Sequence, residues 1–147
     1  MKNSVIIVAA GSGKRMKSAI AKQYIELKGR TILSYTVETF EKSDNIDEII
    51  LVTSQEAIDF VTENIVNKYQ FSKVKAVVAG GVERQDSVYN GLKKVSTDSD
   101  IVLIHDGVRP FVNDAYIAKL ESIAMEFGAC VLGAPVKDTI KICTSEG

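Results

Sequence analysis

Two glycines and two cationic side chains near the amino terminus form a pattern suited to binding phosphate. Gly11 and Gly13 follow an apolar run over residues 5–10, and Arg15 and Lys22 come shortly after them. Glycine lets the backbone turn sharply while its N–H groups stay free to meet an anion. The apolar run is rich in β-branched residues, as in a buried parallel strand, and open α/β sheets bind ligands at the carboxyl ends of such strands. Together these residues predict a site for a nucleoside triphosphate.

Other interpretations of this first loop fit the sequence less well. A dinucleotide-binding fingerprint has a third glycine where this chain has Met16, and no P-loop motif occurs anywhere in the sequence. A strand-to-helix turn without a ligand would explain the glycines alone. It would not explain Arg15 and Lys22, which favour phosphate binding.

A second glycine-containing cluster begins at residues 79–81. Gly81 is followed by Arg84 and Ser87, which lie one helical turn apart if a helix starts here. We expect both side chains to face one ligand and the glycine backbone to contact the edge of a base. A turn followed by a polar helix start is the alternative.

A third cluster, Asp106 and Arg109, follows the apolar residues 101–104. An aspartate at the carboxyl end of a strand is suited to holding Mg²⁺ against phosphate oxygens. The planar guanidinium of Arg109 can bind a second phosphate, although the two side chains could instead simply pair with each other. The only histidine, His105, is expected to be structural, with acid–base chemistry as the alternative. Asp138 and Thr139 are weaker candidates.

Composition limits the class of protein. The 147 residues are enough for one domain, with 46% hydrophobic and 25% charged residues and a net charge of −1. The absence of net positive charge argues against general nucleic-acid binding. The apolar runs are too short to span a membrane and no cleavable signal precedes the first strand, so we expect a cytoplasmic protein without membrane contact. Cys130 and Cys143 lack partners at metal-ligand spacing and are expected to be thiols rather than zinc ligands.

Strands alternate with helices along the chain. This order predicts an α/β, Rossmann-like fold with an open, mainly parallel sheet and helices on both faces. The predicted strands cover residues 5–10, 48–53, 74–79, 101–104 and 129–134. The predicted helices cover residues 31–40, 54–69, 83–95 and 113–127, with Ser54 and Asn113 as caps. Residues 135–142 look like the start of a further extended element, which must pair with another molecule or with a longer chain.

Five motifs that cover nearly the whole chain resemble the 2-C-methyl-D-erythritol 4-phosphate cytidylyltransferases of isoprenoid biosynthesis. In order they are AAGSGKRM, AKQY, AGGVERQDSV, HDGVRPF and APVKDTIK. The resemblance implies a nucleotidyltransferase-type fold. It also implies transfer of a cytidylyl group from CTP to a sugar-alcohol phosphate, methylerythritol phosphate, with release of pyrophosphate and help from Mg²⁺ or another divalent cation.

The resemblance also implies roles for single residues. The groups that would hold the cytidine nucleotide are Gly81, Ser87 and the backbone of Ala9, Ala10, Gly11, Ser12 and Gly13. The cations that would stabilise charge on the triphosphate during transfer are Arg15 and Lys22. Asp106 would bind the metal, and Arg109 and Thr139 would help to place the sugar phosphate.

The family domain continues well past residue 147. There it supplies an arginine on a dimerisation arm and a late lysine, both of which position the sugar phosphate. We therefore expect residues 1–147 to be a nucleotide-binding cytidylyltransferase domain that is incomplete at its carboxyl end. The arm would begin near residues 136–147, and the full-length form would be a homodimer. Ala21 stands where the family usually has proline.

Two other functions stay open at this point. The ribitol 5-phosphate cytidylyltransferases share the fold and several motifs, although RQDSV and PVKDTIK favour the methylerythritol enzyme. A nucleotide-binding regulatory module without turnover would belong to a different class.

Overall fold

A four-stranded sheet forms the centre of the molecule. The computed structural model describes residues 1–11 and 20–144. The strands, in chain order, are β1 (Asn3–Val8), β2 (Glu26–Leu27), β3 (Arg30–Thr31), β4 (Glu48–Thr53), β5 (Val74–Ala79) and β6 (Ile101–Asp106). The central sheet has the order β5-β4-β1-β6 and is parallel throughout, while β2 and β3 form a separate antiparallel hairpin.

The strand order reverses beside β1. The chain runs from β1 to β4 and then β5 in one direction, and it returns to the other side of β1 to form β6. Val8, at the end of β1, pairs with Val52 of β4 and with Asp106 of β6. In open α/β sheets, ligands bind outside the carboxyl ends of the strands where the order reverses. The carboxyl ends of β1 and β6 are therefore the place to look for a site.

Helices connect the strands of the central sheet. The helices are α1 (Ile32–Glu41), α2 (Ile58–Val61), α3 (Arg84–Leu92) and α4 (Asp114–Phe127). A 3-10 turn at Gln55–Ala57 precedes α2, which continues as a π-helical segment at Thr62–Asn67. No helix within residues 1–11 and 20–144 has the length and apolarity needed to cross a membrane.

The two faces of the sheet are packed by different helices. Val5 and Ile7 of β1 are fully buried in a cluster built with α1, α2 and α4. Ile6 points to the opposite face, since side chains alternate along a strand. On that face α3 approaches closely at Gly91, where an added Cβ would lie only 2.6 Å from Ile6 Cγ2. Helices therefore cover both faces, as the sequence predicts.

Side-chain caps fix where the helices begin. Thr31 accepts a hydrogen bond from the Ser34 N–H at the start of α1, and Asn113 accepts one from the Tyr116 N–H at the start of α4. At α3, the Asp86 carboxylate accepts from the Glu83 N–H at 3.0 Å. Such contacts satisfy backbone donors that the first helical turn leaves unpaired.

Several predicted boundaries need correction. β1 lies two residues earlier than residues 5–10, and β6 continues beyond residue 104 to Asp106. Ser54 does not cap through its side chain, because a 3-10 turn follows it and only its backbone carbonyl accepts from the Ala57 N–H. The short hairpin of β2 and β3 was not predicted. Its turn places Lys28 and Gly29 at positive φ.

The predicted strand at 129–134 is wrong, since residues 129–144 have no regular secondary structure. Val131 and Leu132 are largely exposed. An apolar run becomes a strand only when it is paired and buried, and neither condition is met for this run among the described residues. The extended element expected at 135–142 is likewise not part of a sheet.

Candidate nucleotide-binding site

Loops from three strands meet at the carboxyl edge of the sheet. Hydrogen bonds continue past the strand ends: the Ala9 N–H donates to the Val52 carbonyl at 2.7 Å, and the Gly107 N–H donates to the Val8 carbonyl at 2.9 Å. These bonds fix the first residue of each loop to the neighbouring strand. The Gly80 N–H likewise donates to the Thr53 carbonyl at 2.7 Å, so the loops after β1, β5 and β6 each start at a residue that is hydrogen-bonded to the neighbouring strand.

The first and second loops touch where Gly80 lies. A Cβ on Gly80 would lie 2.4 Å from Ala10 Cβ and 2.7 Å from Ser87 Oγ, so a larger residue does not fit there. The neighbouring Gly81 N–H donates to Ser87 Oγ at 3.1 Å. Ser87 is buried, and its hydroxyl joins the second loop to the first turn of α3. Gly81 and Ser87 are thus brought together beside the first loop.

The third loop is organised around Asp106. Its Oδ1 accepts from Arg84 Nη2 at 3.0 Å, and its Oδ2 forms an ion pair with Arg109 Nε at 2.9 Å. The sequence left open whether Asp106 and Arg109 pair, and they do. Arg84 joins them from the start of α3, so the second and third loops are linked by charge. Unlike the buried Ser87, the exposed Arg84 is directed at Asp106.

This arrangement keeps Asp106 ionised. Partial burial raises the pKa of its carboxyl, but the hydrogen bond and charge of Arg84, together with the charge of Arg109, outweigh burial and hold the pKa below 3.8. Both arginine side chains are largely exposed, at 60% and 73% of their surface. Exposed ion pairs contribute only about 0–1 kcal/mol, so a phosphate can recruit either arginine at low cost.

His105 makes two contacts inside the protein, consistent with the expected structural role. Its Nε2 lies 2.9 Å from the Arg109 carbonyl oxygen, a contact that requires the tautomer with hydrogen on Nε2. The ring also meets Phe40 edge-on at 4.8 Å between centroids. Burial lowers the pKa of His105 below 6.5, so the ring is neutral near pH 7. It supports the loop that carries Arg109.

Lys22 extends into solvent from a short 3-10 turn at Lys22–Tyr24. The turn is held from both sides. Gln23 is buried and donates to the carbonyls of Ala9 and Gly11, and the Tyr24 hydroxyl is hydrogen-bonded to Thr53 at the end of β4. The backbone of Lys22 is therefore fixed beside the first loop. Among the described residues, none forms an ion pair with Lys22.

Ala21, which stands where the family described above usually has proline, has a backbone conformation that proline also adopts. Its φ is −61° and its ψ is 138°. Proline fixes φ near this value. The substitution therefore leaves the entry to the lysine turn in the conformation that proline would impose.

The remaining predicted site residues fall into two groups. Ser12, Gly13 and Arg15 lie outside the described residues. Thr139 and Asp138 are exposed in the irregular segment at 129–144. No hydrogen bond or ion pair within the described ranges joins them to Asp106 or Arg109, so the role of Thr139 stays a prediction.

Asp106 is compatible with Mg²⁺ binding only if a bound substrate supplies further ligands. In proteins Mg²⁺ commonly binds one or two carboxylates and completes its shell with substrate phosphates and water. Asp106 offers one ionised carboxylate. In the part of the chain that the structure describes, no group of three or more His, Cys, Asp or Glu side chains is suited to a metal ion. Phosphate oxygens would have to supply further ligands.

Solved structures share this architecture. The 4-diphosphocytidyl-2C-methyl-D-erythritol synthase from Anaerococcus prevotii superimposes with a TM-score of 0.81 at 36% identity, over 99% of this chain and 60% of that one. The cytidylyltransferase structure from Francisella tularensis gives 0.71 at 29% identity, over 99% and 63%. The fold is therefore the α/β fold of nucleotidyltransferases.

Sequence comparison identifies the family within that class. The family model described as 2-C-methyl-D-erythritol 4-phosphate cytidylyltransferase matches residues 3–147. The protein of that name from Alkaliphilus oremlandii is 53% identical over 141 residues, which is 96% of this chain and 60% of the relative. The chain belongs to the 2-C-methyl-D-erythritol 4-phosphate cytidylyltransferase family. It spans about 60% of the length of the curated relatives that it matches.

Proposed function

We propose that the full-length protein transfers a cytidylyl group from CTP to 2-C-methyl-D-erythritol 4-phosphate. The observation that carries this proposal is the meeting of three loops at the strand-order reversal, with Lys22, Arg84 and Arg109 at one edge of the sheet. Cations and free backbone donors in that position suit a triphosphate. Membership of the family supplies the choice of nucleotide and acceptor.

The chemistry asks mainly for positioning and charge neutralisation. An oxygen of the acceptor phosphate attacks the α-phosphorus of CTP, and the bond from that phosphorus to the bridging oxygen of pyrophosphate breaks. The attacking oxygen is already ionised, so no general base is required. Negative charge grows on the departing pyrophosphate, and fixed cations such as Lys22 stabilise it. Arg15 is proposed to act alongside Lys22.

The nucleotide is proposed to bind across the first two loops. The backbone of residues 9–13, with Gly81 and Ser87, would hold the cytidine, and Arg84 would contact its phosphates. Cytosine carries an amino group that can donate to a backbone carbonyl, whereas uracil presents an acceptor there. Two facing acceptors would leave both groups unpaired, and this would favour CTP over UTP.

The metal and the acceptor are proposed to use the third loop. Asp106 would hold Mg²⁺, or another divalent cation, and a bound metal would neutralise phosphate charge. Arg109 and Thr139 would help to place the sugar phosphate. The segment from residue 136 onward would enter an arm that embraces a second subunit, so that the full-length protein is a homodimer. The cytoplasmic location stays a prediction.

A pyrophosphate-release assay tests the proposal. Full-length protein would be given CTP with methylerythritol phosphate or with ribitol 5-phosphate, and then UTP, ATP or GTP in place of CTP. We expect turnover with CTP and methylerythritol phosphate to exceed every other combination. Higher turnover with ribitol 5-phosphate would identify that compound as the acceptor. CTP binding without pyrophosphate release would indicate a nucleotide-binding module without catalysis.

A further inference from the structure

The buried side-chain amide of Gln23 is hydrogen-bonded to the backbone of the first loop. Gln23 is 5% exposed, and its Nε2 donates to the Ala9 carbonyl at 2.7 Å and to the Gly11 carbonyl at 2.9 Å. An amide nitrogen has two hydrogens, so both donors are used on this loop. One side chain therefore fixes two carbonyls that lie two residues apart.

Fixing a carbonyl also fixes the N–H that follows it. In a planar trans peptide, the C=O of Ala9 and the N–H of Ala10 point in opposite directions. Because Gln23 captures the Ala9 carbonyl, the Ala10 N–H is directed away from Gln23. Within the described ranges this N–H has no hydrogen-bond partner. It is a backbone donor available on the other side of the loop.

Anion binding requires that the backbone N–H groups and the carbonyl oxygens of the loop face opposite sides. A concave backbone binds phosphate when its N–H groups face the anion and its carbonyl oxygens, which carry partial negative charge, face elsewhere. A loop with free carbonyls could rotate them toward the anion and repel it. Gln23 prevents that rotation at Ala9 and Gly11. Its backbone neighbour Lys22 is held beside the same loop.

We propose that Gln23 is a positioning residue that turns the carbonyls of the first loop away from the bound triphosphate and holds Lys22 beside it. This inference rests on the proposed function for its ligand, a nucleoside triphosphate. Gln23 itself is too buried to contact that ligand and acts through the loop and the lysine turn.

The test compares two buried amides at opposite ends of β1. Gln23→Met removes both donors and keeps a side chain of similar length. The control is Asn3→Leu, because Asn3 is 4% exposed and its Nδ2 donates to the Asn45 carbonyl at 3.0 Å, at the amino end of the strand. Unfolding by urea and binding of inorganic tripolyphosphate by calorimetry would be measured on full-length protein.

We expect both variants to lose stability, but only Gln23→Met to bind tripolyphosphate at least tenfold more weakly. It should also lower kcat for pyrophosphate release, whereas Asn3→Leu should not. Unchanged tripolyphosphate affinity in Gln23→Met would overturn the inference, as would an equal loss in both variants. Failure of the unsubstituted protein to bind tripolyphosphate would overturn it too.

A second variant covers the case in which Gln23→Met does not fold. In Gln23→Glu, a protonated carboxyl supplies one donor and an ionised carboxyl supplies none. Tripolyphosphate affinity, relative to the unsubstituted protein at each pH, should recover as the pH falls, and the absence of recovery would count against the inference. Tripolyphosphate contains no cytosine and needs no acceptor. Gln23-dependent binding without pyrophosphate release would therefore reject the proposed function and leave the inference standing.

Discussion

A methyl group at Gly80 should force apart the two loops that form the proposed nucleotide site. In Gly80→Ala, the new Cβ would lie 2.4 Å from Ala10 Cβ and 2.7 Å from Ser87 Oγ. Carbon atoms normally meet at about 3.5–4.0 Å. The contact with Ala10 is therefore about 1 Å too short, and Gly80 cannot retreat freely because its N–H donates to the Thr53 carbonyl at 2.7 Å.

The expected cost follows from that overlap. Overpacking of this kind costs about 1–3 kcal/mol, and in a chain of this size each kcal/mol lowers the melting temperature by about 2–4 °C. The displaced groups, Ala10 and Ser87, are both assigned to the proposed cytidine site. We therefore expect a loss of CTP affinity of at least about tenfold, since a misplacement of about 1 Å can cost as much as 10²-fold in function.

The assay pairs urea unfolding with calorimetric titration of CTP. The matched control is Gly133→Ala, because an added Cβ there meets nothing within 4 Å and Gly133 lies outside the proposed site. The control should keep its stability within about 0.5 kcal/mol and bind CTP normally. If Gly80→Ala has the stability and CTP affinity of the unsubstituted protein, the close approach of the two loops does not shape the site and the reasoning fails.

Three further substitutions test charge at the site and in the core. Lys22→Ala should lower kcat by about 10²-fold or more with a smaller effect on the CTP dissociation constant, and a changed KM with normal kcat would show that Lys22 only binds. Asp106→Asn should weaken the Mg²⁺ dependence of pyrophosphate release, and an unchanged metal titration would exclude that role. Burial raises the pKa of Glu121, and the charge of Asp114 adds to the shift. A raised pKa means that the folded state binds the proton more tightly, so this contribution to stability is complete below pH 4.5 and is lost as the pH rises through the folded pKa. Glu121→Gln should flatten that decline in a series of unfolding curves, and an unchanged slope would refute the assignment.

Elements with a strong local signal were predictable from the sequence. β4 and β5 begin and end at the predicted residues because each is a short run rich in β-branched residues. Asn113 is the cap of α4 because its side-chain oxygen can reach the Tyr116 N–H, which is a local contact. The helix ends at Phe127 and is capped by Gly128, whose φ of +84° suits glycine. In such segments the neighbouring residues in the chain decide the structure.

Elements that depend on a partner were harder to predict. Residues 129–134 carry the same kind of apolar run as β4 but form no strand, because the described residues offer no pairing and little burial there. The hairpin of β2 and β3 has strands of only two residues, too short for a periodic signal. The one available indication was the Lys28-Gly29 turn. A two-residue hairpin turn with positive φ at both positions favours glycine as the second residue.

The site shows the same division between local and distant contacts. The pairing of Asp106 with Arg109 spans three residues and could be considered from the sequence alone. The contact from Arg84 spans 22 residues and depends on how α3 packs against the sheet, where it contacts β1, β4 and β5. The two hydrogen bonds of Gln23 depend equally on the fold. A lysine-glutamine pair in the sequence indicates cationic chemistry, but it does not reveal which carbonyls the glutamine holds.

The ion pairs of Asp106 in the third loop should couple the binding of nucleotide to the binding of metal. It pairs with Arg84 and Arg109 at once, so one carboxylate holds two exposed cations near each other at the carboxyl edge of β6. A triphosphate carries more negative charge than a carboxylate and can compete for the guanidinium groups, whose pairs with Asp106 are weak. Each arginine drawn to a phosphate would free an oxygen of Asp106 for a cation. Nucleotide and Mg²⁺ should therefore bind with positive coupling, and because such coupling is reciprocal, CTP should tighten Mg²⁺ binding by the same factor by which Mg²⁺ tightens CTP binding.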